Sequence, residues 1–308
     1  MATQPLSAPP AGLRTRRFRP LEQTIMLLLG AAALVSVLIT VGIVFTLVEE
    51  GSGFWDHVSP TDFLFGTEWF PVEHLYGVLP LLSASLLIAA LATLVAVPIG
   101  LGSAFYLSEY AGPRTRTIVK PVLELLAGMP TIVLGYFALG SITPALHTLH
   151  IIPKEQTFNA LAAGIVVGLL IVPLIASLSE DAFRAVPSIL REGAYGLGAT
   201  KRVVAMRIVF PAALSGVMAS IVLGISRAVG ETMAVTLAAG TQPNLTANPV
   251  HGVQTITAVI VAVSKGEASR GTEIYQSIFA IGLVLFVVTL VINLVALSVV
   301  RRFRTVYQ

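Results

Sequence analysis

The chain has 308 residues, of which 55% are hydrophobic and 11% are charged, with a formal net charge of +3 and no cysteine. Soluble domains carry about 25% charged residues, so a mean hydropathy of +0.86 makes the lipid bilayer the solvent for most of the chain. This composition excludes a soluble enzyme, a disordered protein, a coiled coil and a nucleic-acid-binding domain, and the lack of cysteine excludes disulfides and thiolate metal sites.

Six apolar segments are long enough to cross a bilayer, because a spanning helix needs about 20 mostly apolar residues. They are Thr24–Leu47, Val78–Leu107, Val122–Leu146, Phe158–Leu178, Ala212–Ala239 and Tyr275–Val300. Pro98 and Pro130 fall inside two of these segments, where we expect them to break or bend the helix. The predicted fold class is therefore an all-α integral membrane protein, with a six-helix domain over residues 21–308 that follows a disordered basic tail at residues 1–20.

The basic residues orient the segments. Most of the 19 Lys and Arg residues fall on one side of a six-span arrangement, before the first span, after the sixth, and in the loops after the second and fourth. The first loop on the other side carries acidic residues and no Lys or Arg. Because positive loops stay in the cytoplasm, both termini are predicted to be cytoplasmic.

The loop at residues 180–211 is the longest on the basic side. Pro187 suits the first turn of a helix, and Gly196 and Gly198 allow that helix to end in a sharp bend. Thr200 can cap a second short helix, which we expect Pro211 to stop. A compact helix–bend–helix of this kind fits a groove of a soluble partner, and the alternative is an ordinary amphipathic interfacial loop.

A motif inside this loop resembles a known family. Glu192-Gly193-Ala194 is followed by Gly198 and then by Ile208-Val209-Phe210-Pro211, which resembles the EAA loop of ABC importer permeases with its spacing intact. Gly193 replaces an alanine of that pattern, and Phe210 replaces a leucine. The resemblance implies a loop that docks into the ATP-binding subunit through Glu192, Gly193, Ala194, Gly198, Ile208 and Pro211.

Three further segments resemble one kind of ABC importer in particular. The segment from Ser226 to Val235 resembles the R-A-x-G-E-T-M stretch of the permease pair of phosphate importers, and Leu123–Thr131 and Tyr275–Phe286 are similar to the PstC-type subunit. The resemblance implies a type I, MetI-like bundle in the bacterial plasma membrane. It also implies a PstA-type permease, a pair of PstB-type ATPase subunits and a PstS-type external phosphate-binding protein as partners.

The chain itself is predicted to be non-catalytic. It contains no G-x-x-x-x-G-K-[ST] phosphate-binding loop, so ATP and Mg²⁺ would be used by the partner ATPase, and no cofactor or metal site is expected on this chain. Two alternatives remain: a permease for another oxyanion (sulfate, molybdate or phosphonate), and a stand-alone secondary transporter.

Three charges lie well inside the predicted spans: Glu124, Arg227 and Glu231. A charge at the bilayer centre costs at least about 2.5–3.5 kcal/mol and usually marks function. Arg227 offers a planar fork that matches phosphate oxygens, and Glu231 can accept the O–H of phosphate, which sulfate lacks. We therefore predict an anion path that contains Arg227, Glu231, Glu124 and, from its position in the PstC-like segment, Thr131. The alternative is an Arg227–Glu231 pair, one helical turn apart, that only neutralises itself.

Small residues recur at every fourth position of the fifth span. They are Gly216, Ser220, Gly224, Ala228 and Thr232. Such a stripe lets another helix approach closely. We expect the stripe, and Gly216, Ser220, Gly224 and Ala228 in particular, to form the seam with a second permease subunit. The alternative is core packing within one subunit.

Overall fold

The computed structural model describes residues 20–266 and 269–302. The predicted basic tail therefore lies, apart from its last residue, outside the described residues. The described chain divides into two compact units between Thr46 and Leu47. Helix α1 comprises Pro20–Ser52 and is apolar and long enough to cross a membrane. The part of α1 that precedes the division belongs to the first unit.

The second unit contains the rest of the helices and two short strands. In chain order the α-helices after α1 are α2 Pro60–Phe65, α3 Leu79–Phe105, α4 Pro113–Ala127, α5 Thr131–Phe137, α6 Thr143–Thr148, α7 Ala160–Arg184, α8 Ser188–Gly196, α9 Lys201–Val204, α10 Phe210–Val229, α11 Met233–Ala239, α12 Ile256–Lys265 and α13 Glu273–Arg302. The strands are β1, Trp69–Phe70, and β2, Leu75–Tyr76, and π-helical turns occupy Tyr106–Tyr110, Ala138–Ile142 and Ala205–Val209.

The described helices confirm the predicted fold class. Five are long and apolar enough to cross a membrane, and a sixth span is obtained if α4 and the α5–α6 segment, bent by 90°, count as one. The bend falls at Gly128–Pro130, as Pro130 predicted. At Pro98 the expected break was wrong, because α3 runs through Pro98 without interruption, and the alternative of a bend there stays a prediction. Which side of the membrane each terminus occupies stays a prediction.

The core of the bundle is the contact between α3 and α7. Ideal Cβ atoms at Gly164 and Gly168 would lie 2.4 Å from Leu91 Cβ and 2.9 Å from Val95 Cβ, so the helices approach closely and run parallel. Asn159 starts α7 with a side-chain cap to the backbone N–H of Ala162 at 2.7 Å. This contact fixes the scaffold on which the other helices pack.

An aromatic cap covers the end of the bundle where α3 begins. β1 and β2 pair antiparallel, with Trp69 opposite Tyr76. Edge-to-face ring contacts join Phe54 to Phe63 and to Tyr76 at centroid distances of 5.5 and 5.2 Å. Isoleucines of α12 and α13 complete this cluster. We call residues 53–78 the cap, and the opposite end of the bundle, where α7 ends and α8 lies, the basic end.

The fifth predicted span differs from the structure at both ends. Pro211 does not stop a helix, because residues Lys201–Val229 form one continuous helical segment. Proline has no backbone N–H to donate, and the π-turn Ala205–Val209 that precedes it changes the hydrogen-bond register of the helix at this point. At the other end α10 stops at Val229, and α11 starts only at Met233. The predicted uninterrupted helix to Ala239 was therefore wrong.

Candidate functional site

Arg227 and Glu231 do not lie on one continuous helix face. Arg227 lies in the last turn of α10, whereas Glu231 lies in the break between α10 and α11 and is 9% exposed. Glu231 Oε1 accepts a hydrogen bond from the backbone N–H of Ala234 at 3.3 Å, and the Glu231 carbonyl accepts one from Thr257 Oγ1 at 2.8 Å. Gly230, a poor helix former, and these two bonds explain why the helix breaks here.

The alternative of a self-neutralising pair is not supported. Across residues 20–266 and 269–302, no ion pair joins Arg227 to Glu231 or to any other carboxylate. Arg227 is half-buried, and within the same described part of the chain its guanidinium makes no hydrogen bond. An unpaired cation this far along an apolar helix is available to an anion.

The other two residues of the predicted path lie on either side of the bend in the third span. Glu124 is exposed near the end of α4, and Thr131 is half-buried at the first position of α5. Between them the backbone turns by 90°. Both residues therefore adjoin the bend, and their place in an anion path stays a prediction.

The small-residue stripe of α10 faces α7 of the same chain. An ideal Cβ at Gly216 would lie 2.5 Å from Ala182 Cβ, and one at Gly224 would lie 3.0 Å from Ile175. Ser220 Oγ lies 2.6 Å from Ser179 Oγ, and Ala228 belongs to the main apolar core. These stripe residues therefore pack within one subunit, as the alternative interpretation stated. Helix α7 occupies the face that we expected to meet a second permease.

The predicted docking loop forms a helix, a bend and a second helix at the basic end. α8 ends at Gly196, and Gly198 has a φ of +82°, a left-handed conformation that glycine adopts without strain. Thr200 precedes α9 as its N-cap residue, although its side chain makes no capping bond. The predicted bend is confirmed at Gly198.

One face of α8 is attached to the bundle and the other is open. Ala194 is buried in an apolar cluster with Phe183, and Ile208 packs against the same cluster. Ile189 and Leu197 are 73% and 90% exposed. Four residues of the motif are also exposed, and these are Glu192, Gly193, Gly198 and Pro211. Ile189 lies in the first turn of α8 and Leu197 directly follows its last residue, so the open side of α8 carries an exposed apolar side chain at each end.

Solved structures share this architecture. A bacterial alginate ABC transporter, crystallised with a pentasaccharide-bound periplasmic protein, has a chain that matches with a TM-score of 0.64 at 17% identity, covering 93% of this chain and 98% of that one. The MetNI methionine ABC transporter gives a TM-score of 0.56 at 16% identity, with 80% and 100% covered. At these identities the likeness shows the fold, a MetI-like permease bundle.

Residues 96–305 match the family model described as "Binding-protein-dependent transport system inner membrane component". The chain belongs to this family. Its relatives include the phosphate transport system permease protein PstC of Xylella fastidiosa, 38% identical over 253 residues with 76% of each chain covered. PstC of Mesorhizobium japonicum is 32% identical, covering 93% and 92%, and the probable ABC transporter permease YqgH of Bacillus subtilis is 33% identical, covering 85% of each. The resemblance to PstC-type permeases is confirmed.

A large cavity beside α10 does not suit an anion. It has a volume of about 910 Å³ and lies between α3, α10 and α13. Apart from Thr93, its lining residues are apolar, and Arg227 is not among them. A dianion in such walls would lose its hydration without compensation, so this cavity is not the anion path. No three His, Asp or Glu side chains in the described ranges are placed to hold a metal ion.

Sequence reasoning missed two buried carboxylates of the permease at the basic end. The side chains of Glu109 and Glu180 are 6% and 1% exposed, and each is paired with a cation. Glu180 was assigned to a loop because the fourth span was predicted to end at Leu178, whereas α7 continues to Arg184. The spacing of Glu180 and Arg184, a typical i, i+4 helix pair, was the available signal.

Asn293 is a third missed residue. It lies within the long apolar run of α13, and its Oδ1 accepts a hydrogen bond from Ser226 Oγ at 2.7 Å. Ser226 directly precedes Arg227 along the chain. The signal was available, because an amide inside a predicted span is costly unless it is bonded or functional.

Proposed function

We propose that this chain is a permease subunit of an ATP-driven phosphate importer in the bacterial inner membrane, with both termini in the cytoplasm. The observation that carries the proposal is the unpaired Arg227 at the break between α10 and α11. The names of the PstC relatives support phosphate as the anion that Arg227 meets, because a guanidinium binds phosphate oxygens in a bidentate fork.

Glu231 contributes selectivity in this proposal. Its Oε1 is engaged by the Ala234 N–H, which leaves Oε2 to accept the O–H that phosphate keeps near neutral pH. Sulfate offers only acceptors to a carboxylate. Arg227 therefore attracts the anion, and Glu231 distinguishes a protonated oxyanion from an unprotonated one.

The path is completed by a second permease subunit. The cavity between α3, α10 and α13 is apolar, so in this proposal residues of another subunit supply the polar walls of the path beside Arg227. A PstA-type permease supplies that subunit, and a PstS-type protein delivers phosphate at the cap end. This chain binds no cofactor of its own, and hydrolysis of ATP takes place in a PstB-type pair.

The open face of α8 receives the ATPase subunit. Leu197 and Ile189 are the exposed apolar anchors, and Ala194 and Gly198 fix their position. Closure of the ATPase pair on ATP binding then displaces α8 and switches the bundle between outward-open and inward-open states.

The test is phosphate uptake into vesicles that contain this chain, the second permease, the ATPase pair and the binding protein. We expect uptake to require ATP and all subunits. ATP-independent uptake would identify a secondary transporter, and ATP-driven uptake of sulfate, molybdate or phosphonate without phosphate would identify another oxyanion importer.

A paired substitution tests the docking surface. Leu197→Asp should weaken binding of the ATPase subunit about 30-fold, the effect of losing a buried apolar anchor worth about 2 kcal/mol. Val72→Asp is the matched control, because Val72 is 88% exposed in the cap at the opposite end. Equal binding by the two variants would place the docking surface elsewhere.

A further inference from the structure

The guanidinium of Arg191 joins α8 to the ends of two bundle helices. Arg191 Nη2 donates to the Phe183 carbonyl at 2.7 Å and lies 3.1 Å from Glu109 Oε1, and Nη1 donates to the Val186 carbonyl at 2.6 Å. Phe183 lies in the last turn of α7, and Glu109 lies in the π-turn that follows α3. A planar fork with several donors holds such an arrangement rigidly, whereas an ammonium on a flexible stem does not.

The side chain of Glu109 is 6% exposed, and its contacts are made through Oε1. Its Oε1 also accepts a hydrogen bond from Ser108 Oγ at 3.0 Å. A buried ion pair contributes little net stability compared with apolar residues of the same size, but it fixes the geometry of the groups that it joins. The pair therefore contributes a defined link between α8 and α3 more than it contributes folding free energy.

A second link continues from α3 to α4 and α7. Arg116 of α4 donates through Nη2 to the carbonyls of Leu107 at 2.6 Å and Ser108 at 3.1 Å. Arg116 Nε lies 3.4 Å from Glu180 Oε1, and Lys120 Nζ lies 2.8 Å from Glu180 Oε2. The two links meet in the π-turn Tyr106–Tyr110, so the backbone of this turn joins the contacts of Arg191 to those of Arg116 and thereby α8 to α4.

These contacts supplement the weak apolar packing of α4. None of the α4 residues is buried, so its apolar side chains pack only partly against the bundle. α4 leads directly into the 90° bend at Gly128–Pro130, next to Glu124 and Thr131. A displacement of α8 transmitted through charged contacts would therefore reach the bent third span.

We propose that Glu109 and Arg191 are positioning residues that transmit movement of α8 to α3 and, through Arg116 and Glu180, to α4. The inference rests on the proposed function, because it assigns the route by which ATP-driven movement of the docking helix reaches the anion path. Neither residue contacts the anion or the open face of α8 that receives the ATPase.

The first experiment measures phosphate transported per ATP hydrolysed in the reconstituted complex. Glu109→Gln keeps the shape of the side chain and removes its charge, and Glu155→Gln is the matched control at an exposed carboxylate of the other end. We expect Glu109→Gln to lower the ratio about fivefold or more, a typical coupling effect, with complex assembly and ATP hydrolysis retained. Glu109→Asp, which keeps the charge, should recover part of the ratio. A wild-type ratio in Glu109→Gln would overturn the inference.

A second variant covers the case in which Glu109→Gln fails to fold. Replacing both partners, as in Glu109→Met with Arg191→Leu, removes the buried charges together and is expected to fold. The double variant should hydrolyse ATP and transport poorly. Transport at the wild-type ratio by the double variant would show that the charged link is not needed.

A third measurement separates this inference from the proposed function. The chain has no cysteine, so spin labels at Ser188→Cys in α8 and Ile118→Cys in α4, both exposed, report on the assembled complex whether or not phosphate is the substrate. We expect one α8–α4 distance with and without ATP in the otherwise unchanged chain, and a shifted or broadened distance with ATP in Glu109→Gln. A distance that changes with ATP in the unchanged chain would contradict the link. Absent phosphate uptake with a constant distance would contradict only the proposed function.

Discussion

Glu231 Oε1 accepts a hydrogen bond from the backbone N–H of Ala234 at 3.3 Å, which caps α11 at its start. The carboxylate that we propose as a selectivity group therefore also shapes the break in the fifth span. The two roles can be separated, because an amide oxygen can take over the capping bond but carries no charge.

The first prediction follows from that separation. Glu231→Gln should keep the cap and leave the melting temperature near that of the wild type, whereas Glu231→Ala should lose about 0.5–2 kcal/mol, typical of a lost helix cap. Both variants should transport phosphate poorly relative to sulfate, because neither offers a carboxylate to the phosphate O–H. Uptake of the two anions in parallel measures this, and unchanged selectivity in Glu231→Gln would remove Glu231 from the path.

The second prediction concerns Arg227. Since Arg227 makes no ion pair or hydrogen bond in the described part of the chain, Arg227→Ala should leave the melting temperature and the assembly of the complex unchanged while it abolishes phosphate uptake. Arg227→Lys keeps the charge without the fork and should retain partial uptake. Thermal unfolding in detergent and uptake into vesicles are the measurements. Loss of assembly in Arg227→Ala would instead indicate a structural partner on another subunit.

The third prediction concerns the stripe of small residues on α10. An added Cβ at Gly216 would lie 2.5 Å from Ala182 Cβ, so Gly216→Ala should lower the free energy of unfolding by about 1–3 kcal/mol, typical of an overpacked contact. Combining it with Ala182→Gly should restore part of the loss. Thermal unfolding of this chain alone suffices. A wild-type melting temperature for Gly216→Ala would mean that α10 and α7 are not in direct contact there.

The gross fold could be predicted because apolar run length and loop charge depend on local sequence alone. The break after Val229 could not, since Gly230 and the local bond of Glu231 are joined there by a contact between distant residues: Thr257 donates its hydroxyl to the carbonyl of Glu231, 26 residues earlier in the chain. A run of Ala, Val, Met and Thr reads as one apolar helix whether or not such a contact exists. The same reason explains why Arg227 and Glu231 appeared as a helical pair.

Predictions for the candidate site differ in the same way. The bend at Gly196 and Gly198 could be predicted, because glycine in a left-handed conformation is a local preference. The pairing of Arg191 with Glu109 could not, since the two residues are 82 positions apart and both resemble ordinary charges of a basic loop. The partner of the small-residue stripe was likewise undetermined, because Gly216 and Gly224 admit a close neighbour without specifying which helix it is.

The fourth prediction concerns the cap and its dependence on pH. Burial, with the negative charge of Glu273 as the next cause, raises the pKa of Tyr76 from 10.0 to about 12. Because the folded chain holds this proton more tightly than the unfolded chain, the stability that it contributes is fully present below about pH 10 and is lost as the pH rises through about 12.

Glu273→Gln removes the charge but not the burial, so it should lower the pKa of Tyr76 and leave it above 10. The measurement is the ultraviolet absorbance of phenolate as a function of pH, taken as the difference between the chain and its Tyr76→Phe variant. Glu68→Gln, a change to another carboxylate of the cap, is the control and should leave the Tyr76 titration in place. A Tyr76 titration at the ordinary value in the unchanged chain would show that the cap is not closed over this ring.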